Sequence, residues 1–277
     1  MNLQTETEFL LKKYNLRANK KLGQNFLISD DIVNRIILEA EVSKEDTIIE
    51  IGPGLGALTA KLAENAKEVI AIELDDNMIN VLTERFSLYQ NVKIIHGDVL
   101  KVNLKELIAD KAPVKVVANL PYYITTPIVM KLLEEKLNIE QITVMVQKEV
   151  GERFTATPNG KEYGAITVSI QYYTEPSIVI DVPRDNFNPV PDVDSCVVIL
   201  KIRKEHLKMK DEKMFFKVIK AAFSQRRKNI GNSLTGVGKS KQEIKDMLES
   251  LEIDSNLRAE NLSIETFVKI ADYIASK

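Results

Sequence analysis

The sequence has few of the residues that several classes of protein depend on. Its single cysteine, Cys196, excludes a disulfide framework and lies in an apolar run typical of a buried strand. The two histidines, His96 and His206, lack the spacing of a metal site or of a histidine-based catalytic triad. No apolar run reaches the roughly 18 residues of a membrane span, and the first residues do not have the layout of a signal peptide. We therefore expect a cytoplasmic protein in a reducing setting, with neither a metal nor a membrane partner.

Charge is small in total but unevenly distributed. The 277 residues have a formal net charge of −2, which predicts modest non-specific attraction to nucleic acid. The segment 201–228 nevertheless contains eleven Lys or Arg and three acids, so it carries +8 and leaves −10 for the other residues. It is either a phosphate-contacting surface or the solvent face of an ordinary amphipathic helix. A second basic segment, between Phe9 and Ser29, contains no acid and is either a nucleic-acid-contacting arm or a docking helix.

A glycine-rich turn follows the apolar run 47–51. Gly52 and Gly54 let the backbone approach a ligand closely, and a helical pattern begins after Gly56. Glu73 closes the next apolar run, 21 residues after Gly52, where a carboxylate can accept hydrogen bonds from both hydroxyls of a ribose. Together these features predict a nucleoside pocket. The glycines alone also fit a dinucleotide-binding enzyme, whereas no Gly-Lys-Ser/Thr follows them, which excludes an ATP-type phosphate loop.

Asp98 and Asn119 follow the third and fourth apolar runs. Ligands of parallel sheets bind beyond the carboxyl ends of the strands, so Glu73, Asp98 and Asn119 are expected to meet Gly52 in one crevice. There Asp98 is placed to accept a hydrogen bond from an adenine amine. Each residue alone also has a structural interpretation, with Glu73 as a helix cap, Asp98 in an Asx turn and Glu50 as a structural loop acid. The regular recurrence of polar strand ends favours the shared crevice.

The quartet Asn119-Leu120-Pro121-Tyr122 combines groups that few reactions require together. The Asn oxygen and the carbonyl before the proline are two neutral acceptors for one NH2 group, and the tyrosine ring is a flat surface for an aromatic base. The proline holds the preceding carbonyl in place because its φ is fixed. The alternative is a simple strand-to-helix turn. Beside a nucleoside pocket, the quartet indicates a site that methylates an amino group.

Apolar runs alternate with helical patterns along most of the chain. The runs near 47–51, 68–73, 92–96, 114–118 and 142–147 predict βαβ units and a mostly parallel sheet. Two later runs, at 177–182 and 193–202, lie closer together, which favours an antiparallel pair at one sheet edge.

The length and the change of pattern predict one large and one small domain. The first, 1–204, is an α/β domain that begins with a basic arm, 1–28. The second, 205–277, is a small all-α domain whose last helix has Ser263 as N-cap. The stretch 231–238 contains three glycines and is expected to be a flexible loop.

Six motifs span nearly the whole chain and lie at residues 22–27, 50–56, 97–98, 119–122, 187–195 and 223–228. Together they resemble the motifs of the KsgA/RsmA-type ribosomal RNA adenine N6-dimethyltransferases. These enzymes use S-adenosylmethionine and are related to the Erm antibiotic-resistance methyltransferases. The resemblance implies a class I, Rossmann-like methyltransferase sheet, mostly parallel with an antiparallel edge, followed by a helical RNA-recognition domain.

The resemblance also implies roles for individual residues. With Gly54 from the glycine-rich turn, the residues expected to contact the methyl donor are Asn25, Leu27, Gly52, Glu73, Asp98 and Asn119. The target adenine is expected to contact Asn119, Leu120, Pro121 and Tyr122, and Phe187 is expected to pack against the flipped base. By the same resemblance Arg226, Arg227 and Lys228 are expected to bind RNA, and the charge of the basic arm adds Lys20 and Lys21 to this set.

The quartet suggests a mechanism without a strong general base. The exocyclic nitrogen of adenine is a poor nucleophile, because its lone pair is delocalised into the ring. We expect the Asn119 oxygen and the backbone of Leu120 and Pro121 to accept both N6 hydrogens, so that the lone pair points at the methyl group. The proton then leaves after methyl transfer. Because a paired adenine is inaccessible, the base must flip out, and Tyr122 and Phe187 can stack on it.

The expected function is methylation of the N6 amines of two adjacent adenosines near the 3′ end of 16S ribosomal RNA. S-adenosylmethionine would be the donor, the assembling small ribosomal subunit the partner, and the enzyme a monomer. Alternatives are an Erm-like reaction on 23S ribosomal RNA, a non-catalytic RNA-binding or transcription factor, and a dehydrogenase. The motifs at 187–195 and 223–228 resemble KsgA more than Erm, and the intact quartet counts against the other two alternatives.

Overall fold

The computed structural model describes residues 1–19, 22–205, 207–225 and 227–276. The chain forms two compact units. The sheet unit consists of Met1–Gly151 and Glu175–Ile202, and the helical unit consists of Glu152–Thr174 and Arg203–Lys277. The segment 152–174 therefore groups with the C-terminal helices, although it was expected in the domain 1–204.

The strands lie where the apolar runs predict them. Seven of them form the main sheet: β2 (Thr47–Ile51), β3 (Glu68–Glu73), β4 (Val92–His96), β5 (Val114–Asn119), β6 (Gln141–Gln147), β7 (Thr174–Val182) and β9 (Ser195–Ile202). Two short strands, β1 (Phe26–Leu27) and β8 (Phe187–Asn188), pair with each other in antiparallel fashion.

The main sheet has the order β4-β3-β2-β5-β6-β9-β7. The pairs from β4 to β6 are parallel, whereas β9 runs antiparallel to β6 and has β7 beside it at the edge. The predicted mostly parallel sheet with an antiparallel edge is confirmed. Every residue of β2 is buried, as expected for a strand covered on both faces.

Helices of the sheet unit cover the sheet. They are α1 (Leu3–Lys13), α2 (Asp30–Glu39), α3 (Ala57–Asn65), α4 (Asp76–Arg85), α5 (Leu104–Leu107) and α6 (Thr125–Glu134), followed by α7 (Lys148–Thr155), which crosses the boundary between the units. The apolar faces of α2 and α3 join one core cluster with Ile48, Val69 and Val117 of the sheet. Burial of such side chains contributes about 1.5–3 kcal/mol each.

The basic N-terminal segment begins as a docking helix. Leu10 of α1 is buried in a cluster with Phe26 and Leu82, and Arg85 binds Glu6 at 2.7 Å. The docking interpretation of this part of the segment is thereby confirmed. Lys20 and Lys21 of the same basic arm lie outside the described residues.

The helical unit contains the helices α8 (Ala165–Tyr173), α9 (Glu212–Phe223), α10 (Ile230–Ser233), α11 (Lys241–Ser250) and α12 (Ile264–Ala275). Ser263 caps α12 as predicted, since its side chain accepts a hydrogen bond from the Thr266 amide. Among the described residues, no helix is long and apolar enough to cross a membrane.

The prediction of a flexible loop at 231–238 is wrong. Helix α10 and a 3₁₀ helix, Leu234–Val237, occupy it, and Ile230 and Leu234 are fully buried. Gly236 lies against Ala221, where a β-carbon would come within 3.2 Å of the alanine side chain. The glycine therefore permits close helix packing here, which the sequence pattern alone does not distinguish from flexibility.

Candidate functional site

One cleft in the sheet unit brings most of the predicted site residues together. It lies at the carboxyl ends of the parallel strands, where ligands of such sheets bind. Its wall includes Asn25, Leu27, Gly52, Gly54, Glu73, Asp98, Asn119, Leu120, Pro121 and Tyr122. These residues come from five separate segments of the sequence, 25–27, 52–54, 73, 98 and 119–122. The sheet topology brings the segments together.

The turn after β2 depends on glycine for both its conformation and its packing. Gly54 has φ +57°, and its N–H donates to Glu73 Oε2 at 3.1 Å. Gly56 has φ +83° and precedes α3, and a β-carbon there would lie only 2.6 Å from the Phe86 ring. A side chain at Gly56 would therefore need both an unfavourable backbone conformation and a displaced aromatic ring.

Glu73 is held rigidly at the end of β3. Its carboxylate accepts three backbone N–H groups, from Gly54 at 3.1 Å, Leu74 at 2.7 Å and Asp75 at 2.9 Å. Burial raises the pKa of Glu73, and these hydrogen bonds oppose the rise. A carboxylate has about four acceptor positions, so capacity for a ligand hydroxyl remains. Asp75, whose side chain accepts from the Asn77 amide, caps α4 instead of Glu73.

Asp98 forms an Asx turn and also lies in the cleft wall. Its Oδ1 accepts from the Leu100 amide at 3.0 Å, which is the Asx turn that the sequence allows. Its Oδ2 lies 3.5 Å from the Nζ of the exposed Lys101. The turn fixes the side chain at the cleft, so a contact with an adenine amine stays a prediction that the geometry permits.

The quartet contains two acceptors on residues that line the cleft. Asn119, the last residue of β5, donates from Nδ2 to the Asn25 carbonyl at 3.4 Å, which directs its Oδ1 away from that bond. Within the described part of the chain, no group donates to Asn119 Oδ1 or to the Leu120 carbonyl. The Pro121 carbonyl, by contrast, accepts from Ile124 N at 3.2 Å and Thr125 Oγ1 at 3.1 Å. The two available acceptors are therefore Asn119 Oδ1 and the Leu120 oxygen, and Pro121 contributes rigidity.

A hydrogen bond to Ser195, which local sequence patterns do not indicate, holds Tyr122 in place. Its hydroxyl lies 2.7 Å from the Oγ of Ser195, a fully buried residue at the start of β9. Burial raises the pKa of the Tyr122 hydroxyl, so it is neutral at physiological pH. A buried serine at the polar end of an apolar strand is the only signal of this contact in the sequence.

Phe187 is the one predicted target-site residue that the structure does not bring to the cleft. The side chain is 1% exposed and packs in the core with Leu27, Val182 and Val197. Its backbone pairs with Leu27, which does line the cleft. The structure therefore places Phe187 behind Leu27, and its stacking on a base stays a prediction.

The predicted RNA-binding residues divide between described and undescribed positions. Arg226 lies outside the described residues, as do Lys20 and Lys21. Arg227 and Lys228 are exposed in the helical unit, just after α9.

Glu50 is the least expected residue of the cleft wall. It is 1% exposed in the middle of the sheet, and its Oε2 has no hydrogen-bond partner among the described residues. Burial raises its pKa to about 8, nearby Glu73 adds to the rise, and Arg85 opposes it. The interpretation of Glu50 as a loop acid is wrong, because it belongs to β2 and is protonated at neutral pH.

Glu50→Gln is expected to flatten the pH dependence of stability. The folded-state pKa is about 8 and the unfolded value about 4.5, so the native state holds the extra proton and loses stability as pH rises between them. From pH 6 to pH 9 the wild type should lose about 3 kcal/mol more unfolding free energy than the variant. Urea unfolding at both pH values measures this difference. Identical losses in the two proteins would contradict the assignment.

Comparison with known proteins extends over both units. Residues 15–276 match the family model of ribosomal RNA adenine dimethylase. The chain is 47% identical over 269 residues to the ribosomal RNA small subunit methyltransferase A of Clostridium acetobutylicum, covering 97% of this chain and 98% of that one. The protein of the same name from Clostridioides difficile is 46% identical, with 98% and 96% covered.

Two solved structures share the fold. A dimethyladenosine transferase from Plasmodium falciparum is 27% identical with a TM-score of 0.77, covering 88% of this chain and 95% of that chain. The 23S rRNA methyltransferase ErmE is 25% identical with a TM-score of 0.69, covering 91% and 100%.

Proposed function

This chain belongs to the ribosomal RNA adenine dimethylase family, and we propose that it transfers methyl groups from S-adenosylmethionine to the N6 amines of two adjacent adenosines near the 3′ end of 16S ribosomal RNA. The reaction belongs to biogenesis of the small ribosomal subunit. Identity of 47% to a small-subunit methyltransferase, against 25% to the 23S enzyme ErmE, supports this substrate over the Erm-like alternative.

The observation that carries the proposal is the pair of free acceptors on the quartet. Asn119 Oδ1 and the Leu120 carbonyl are neutral and belong to consecutive residues that line the same cleft as Glu73. They accept the two N6 hydrogens of adenine, while Glu73 accepts from the donor ribose. Both reactants are then held in one cleft, which removes much of the entropic barrier to their reaction.

Methyl transfer at this site needs no strong base. Hydrogen bonding of both N6 hydrogens to Asn119 and Leu120 draws the nitrogen towards tetrahedral geometry and directs its lone pair at the methyl carbon. A bound sulfonium donor would supply the electrophilic methyl carbon: its carbon–sulfur bond would break as the carbon–nitrogen bond forms, and S-adenosylhomocysteine would leave. The proton on nitrogen would then pass to water. After the first transfer only one N–H remains, and losing one bond to a neutral acceptor costs less than losing one to a charged group.

The proposed substrate is tested by comparing two RNAs with the same labelled donor. We expect transfer to small-subunit particles from cells that lack this protein, and mass spectrometry should find N6,N6-dimethyladenosine at two adjacent positions. Protein-free 23S RNA should remain unlabelled. Preferential labelling of 23S RNA would favour the Erm-like reaction, and labelling of neither RNA would favour a non-catalytic factor.

Tyr122→Ala is expected to impair RNA turnover and to leave donor binding nearly unchanged. Stacking of a base on an aromatic ring is worth about 1–3 kcal/mol, which corresponds to about a 5- to 100-fold loss in kcat/KM for RNA. Tyr122→Phe keeps the ring and removes only the hydroxyl that bonds to Ser195, so its effect should be several times smaller. Steady-state kinetics and donor calorimetry separate the two effects. An unaltered methylation rate in Tyr122→Ala would exclude stacking.

The helical unit offers a basic surface for phosphate groups. Lys213, Lys217 and Lys220 are exposed on α9, and the described residues form no ion pair with them. Their spacing of four and three residues places them along one side of the helix. Arg227 and Lys228 continue the positive charge beyond its end. We propose that this surface, Lys213 to Lys228, contacts the RNA backbone.

Replacing Lys213, Lys217 and Lys220 by glutamine should weaken RNA binding and its dependence on salt. Each phosphate that a lysine no longer neutralises lowers the slope of log K against log salt by about 0.7–0.9, so the slope should fall by about 2 in the triple variant. A matched triple substitution of Lys239, Lys241 and Lys245, on or next to α11, should have little effect, because Lys239 and Lys245 already lie near glutamates. Equal slopes in both variants would place the RNA elsewhere.

A further inference from the structure

Tyr123 is an exposed aromatic residue in the wall of the cleft. It is 57% exposed, although it directly follows Tyr122, whose hydroxyl is tied to the buried Ser195. It belongs to the short 3₁₀ helix Tyr122–Ile124 that follows the quartet. The proposed reaction uses Tyr122 and leaves Tyr123 without a role, even though a large ring left half in water forgoes the free energy of burial.

A glycine on the opposite cleft segment supports the Tyr123 ring. Gly23 has φ +61°, and a β-carbon there would lie 3.2 Å from Tyr123 Cδ1 and 3.6 Å from Cε1. The ring therefore occupies the space beside Gly23 that a side chain there would need, and Pro121 lies close to the same point. This edge of the ring faces the Gly23 segment, whereas more than half of the residue remains exposed.

We propose that Tyr123 is a positioning residue that stacks on the RNA nucleotide next to the adenosine in the cleft. This inference rests on the proposed RNA methyltransferase function. The acceptors for the target amine, on Asn119 and Leu120, precede Tyr122, and Tyr123 lies one residue further towards the exposed rim. Consecutive aromatic residues can thus serve consecutive nucleotides, and an aromatic platform accepts any base because every base has a π-face.

The donor is a less suitable partner for this ring. Its proposed ribose anchor, Glu73, is only 7% exposed and is surrounded by backbone amides. A ring that is more than half exposed remains within reach of a polymer that crosses the rim of the cleft.

Kinetics on small-subunit particles test the role of the ring. Tyr123→Ala should lower kcat/KM for RNA by about 5- to 100-fold and leave the donor Kd unchanged, whereas Tyr123→Phe should behave as the wild type. Gly23→Ala keeps the ring but displaces it, so it should lower RNA turnover in the same direction. An unchanged kcat/KM in Tyr123→Ala, or an equal loss in Tyr123→Phe, would overturn the proposal.

A single tryptophan provides a direct readout, because the chain contains none. Tyr123→Trp keeps an aromatic ring at this position, and an RNA hairpin that the wild type methylates should quench its fluorescence. The same hairpin with an abasic site beside the target adenosine should not, and S-adenosylhomocysteine alone should have little effect. The control is Tyr89→Trp, at a position that is 42% exposed and lies outside the cleft wall.

The possible failures are distinguishable. Equal quenching by the intact and abasic hairpins, or quenching by S-adenosylhomocysteine alone, would show that Tyr123 does not stack on the neighbouring nucleotide. Normal methylation by the wild type in that experiment would leave the proposed function intact. If the wild type methylated neither particles nor hairpin, the proposed function itself would fail.

Discussion

Asn119→Ala is expected to reduce the rate of methyl transfer by about 10²- to 10³-fold, the usual effect of removing one polar group that stabilises a transition state. The variant loses Oδ1, one of the two acceptors that hold the N6 amine. It also loses the Nδ2 donor to the Asn25 carbonyl, which joins the end of β5 to the N-terminal cleft segment. Single-turnover kinetics with saturating donor and small-subunit particles measure the chemical step.

Two further variants separate the acceptor from the anchor at this position. Asn119→Asp keeps an oxygen but has no donor for Asn25, and its negative charge binds the amine more strongly before than after methylation. It should accumulate monomethyladenosine, because the monomethylated amine has one N–H fewer for the charged acceptor, binds more weakly and leaves before the second transfer. Asn34→Ala removes an exposed asparagine outside the cleft and should match the wild type. A rate in Asn119→Ala within about twofold of the wild type would refute the proposed activation of the amine.

Glu73→Ala is expected to weaken donor binding by about 100-fold or more and to destabilise the fold. The side chain is the proposed ribose acceptor, and its removal leaves the amides of Gly54, Leu74 and Asp75 without their partner. The bond from Asp75 is buried, so leaving that amide unsatisfied costs about 1–3 kcal/mol, whereas the partly exposed amides of Gly54 and Leu74 can bind water. Calorimetry with S-adenosylmethionine gives the donor affinity, and urea unfolding gives the stability.

Glu73→Gln separates the two consequences, because it has nearly the same shape and keeps one acceptor oxygen. It should bind the donor about tenfold more weakly with a smaller loss of stability. In the wild type, burial raises the pKa of Glu73, so donor affinity should fall as pH decreases through that raised pKa and the carboxylate becomes protonated. Asp76→Ala, at an exposed carboxylate three residues away, is the control. Unchanged donor affinity in Glu73→Ala would exclude the ribose assignment.

Much of the sheet and the position of the cleft could be predicted from local patterns. A buried parallel strand requires a continuous apolar run, and such runs coincide with β2, β3 and β5. The residue that ends each run must also lie at the edge where ligands bind, so Glu73 and Asn119 could be identified by position alone. The C-terminal helices could be predicted as well, because apolar residues at helical spacing are seldom found in strands or loops.

Contacts between distant segments could not be predicted in this way. Tyr122 and Ser195 are 73 residues apart, and their hydrogen bond exists only because β9 lies beside β6 in the sheet. The motif that contains Phe187 does not reveal that this side chain packs in the core with Leu27 and Val197. The glycines of 231–238 predict a loop, whereas Gly236 allows a close contact with Ala221.

The amino-acid sequence alone determined which residues end the strands and which chemical groups the cleft contains, because strand periodicity and strand ends are local properties of the chain. The tertiary structure decided which of those groups are available to a ligand. Asn119 Oδ1 and the Leu120 carbonyl are free among the described residues, whereas the Pro121 carbonyl is occupied by Ile124 and Thr125. Availability depends on which hydrogen-bonding partners the fold brings near each group, and local spacing does not contain that information.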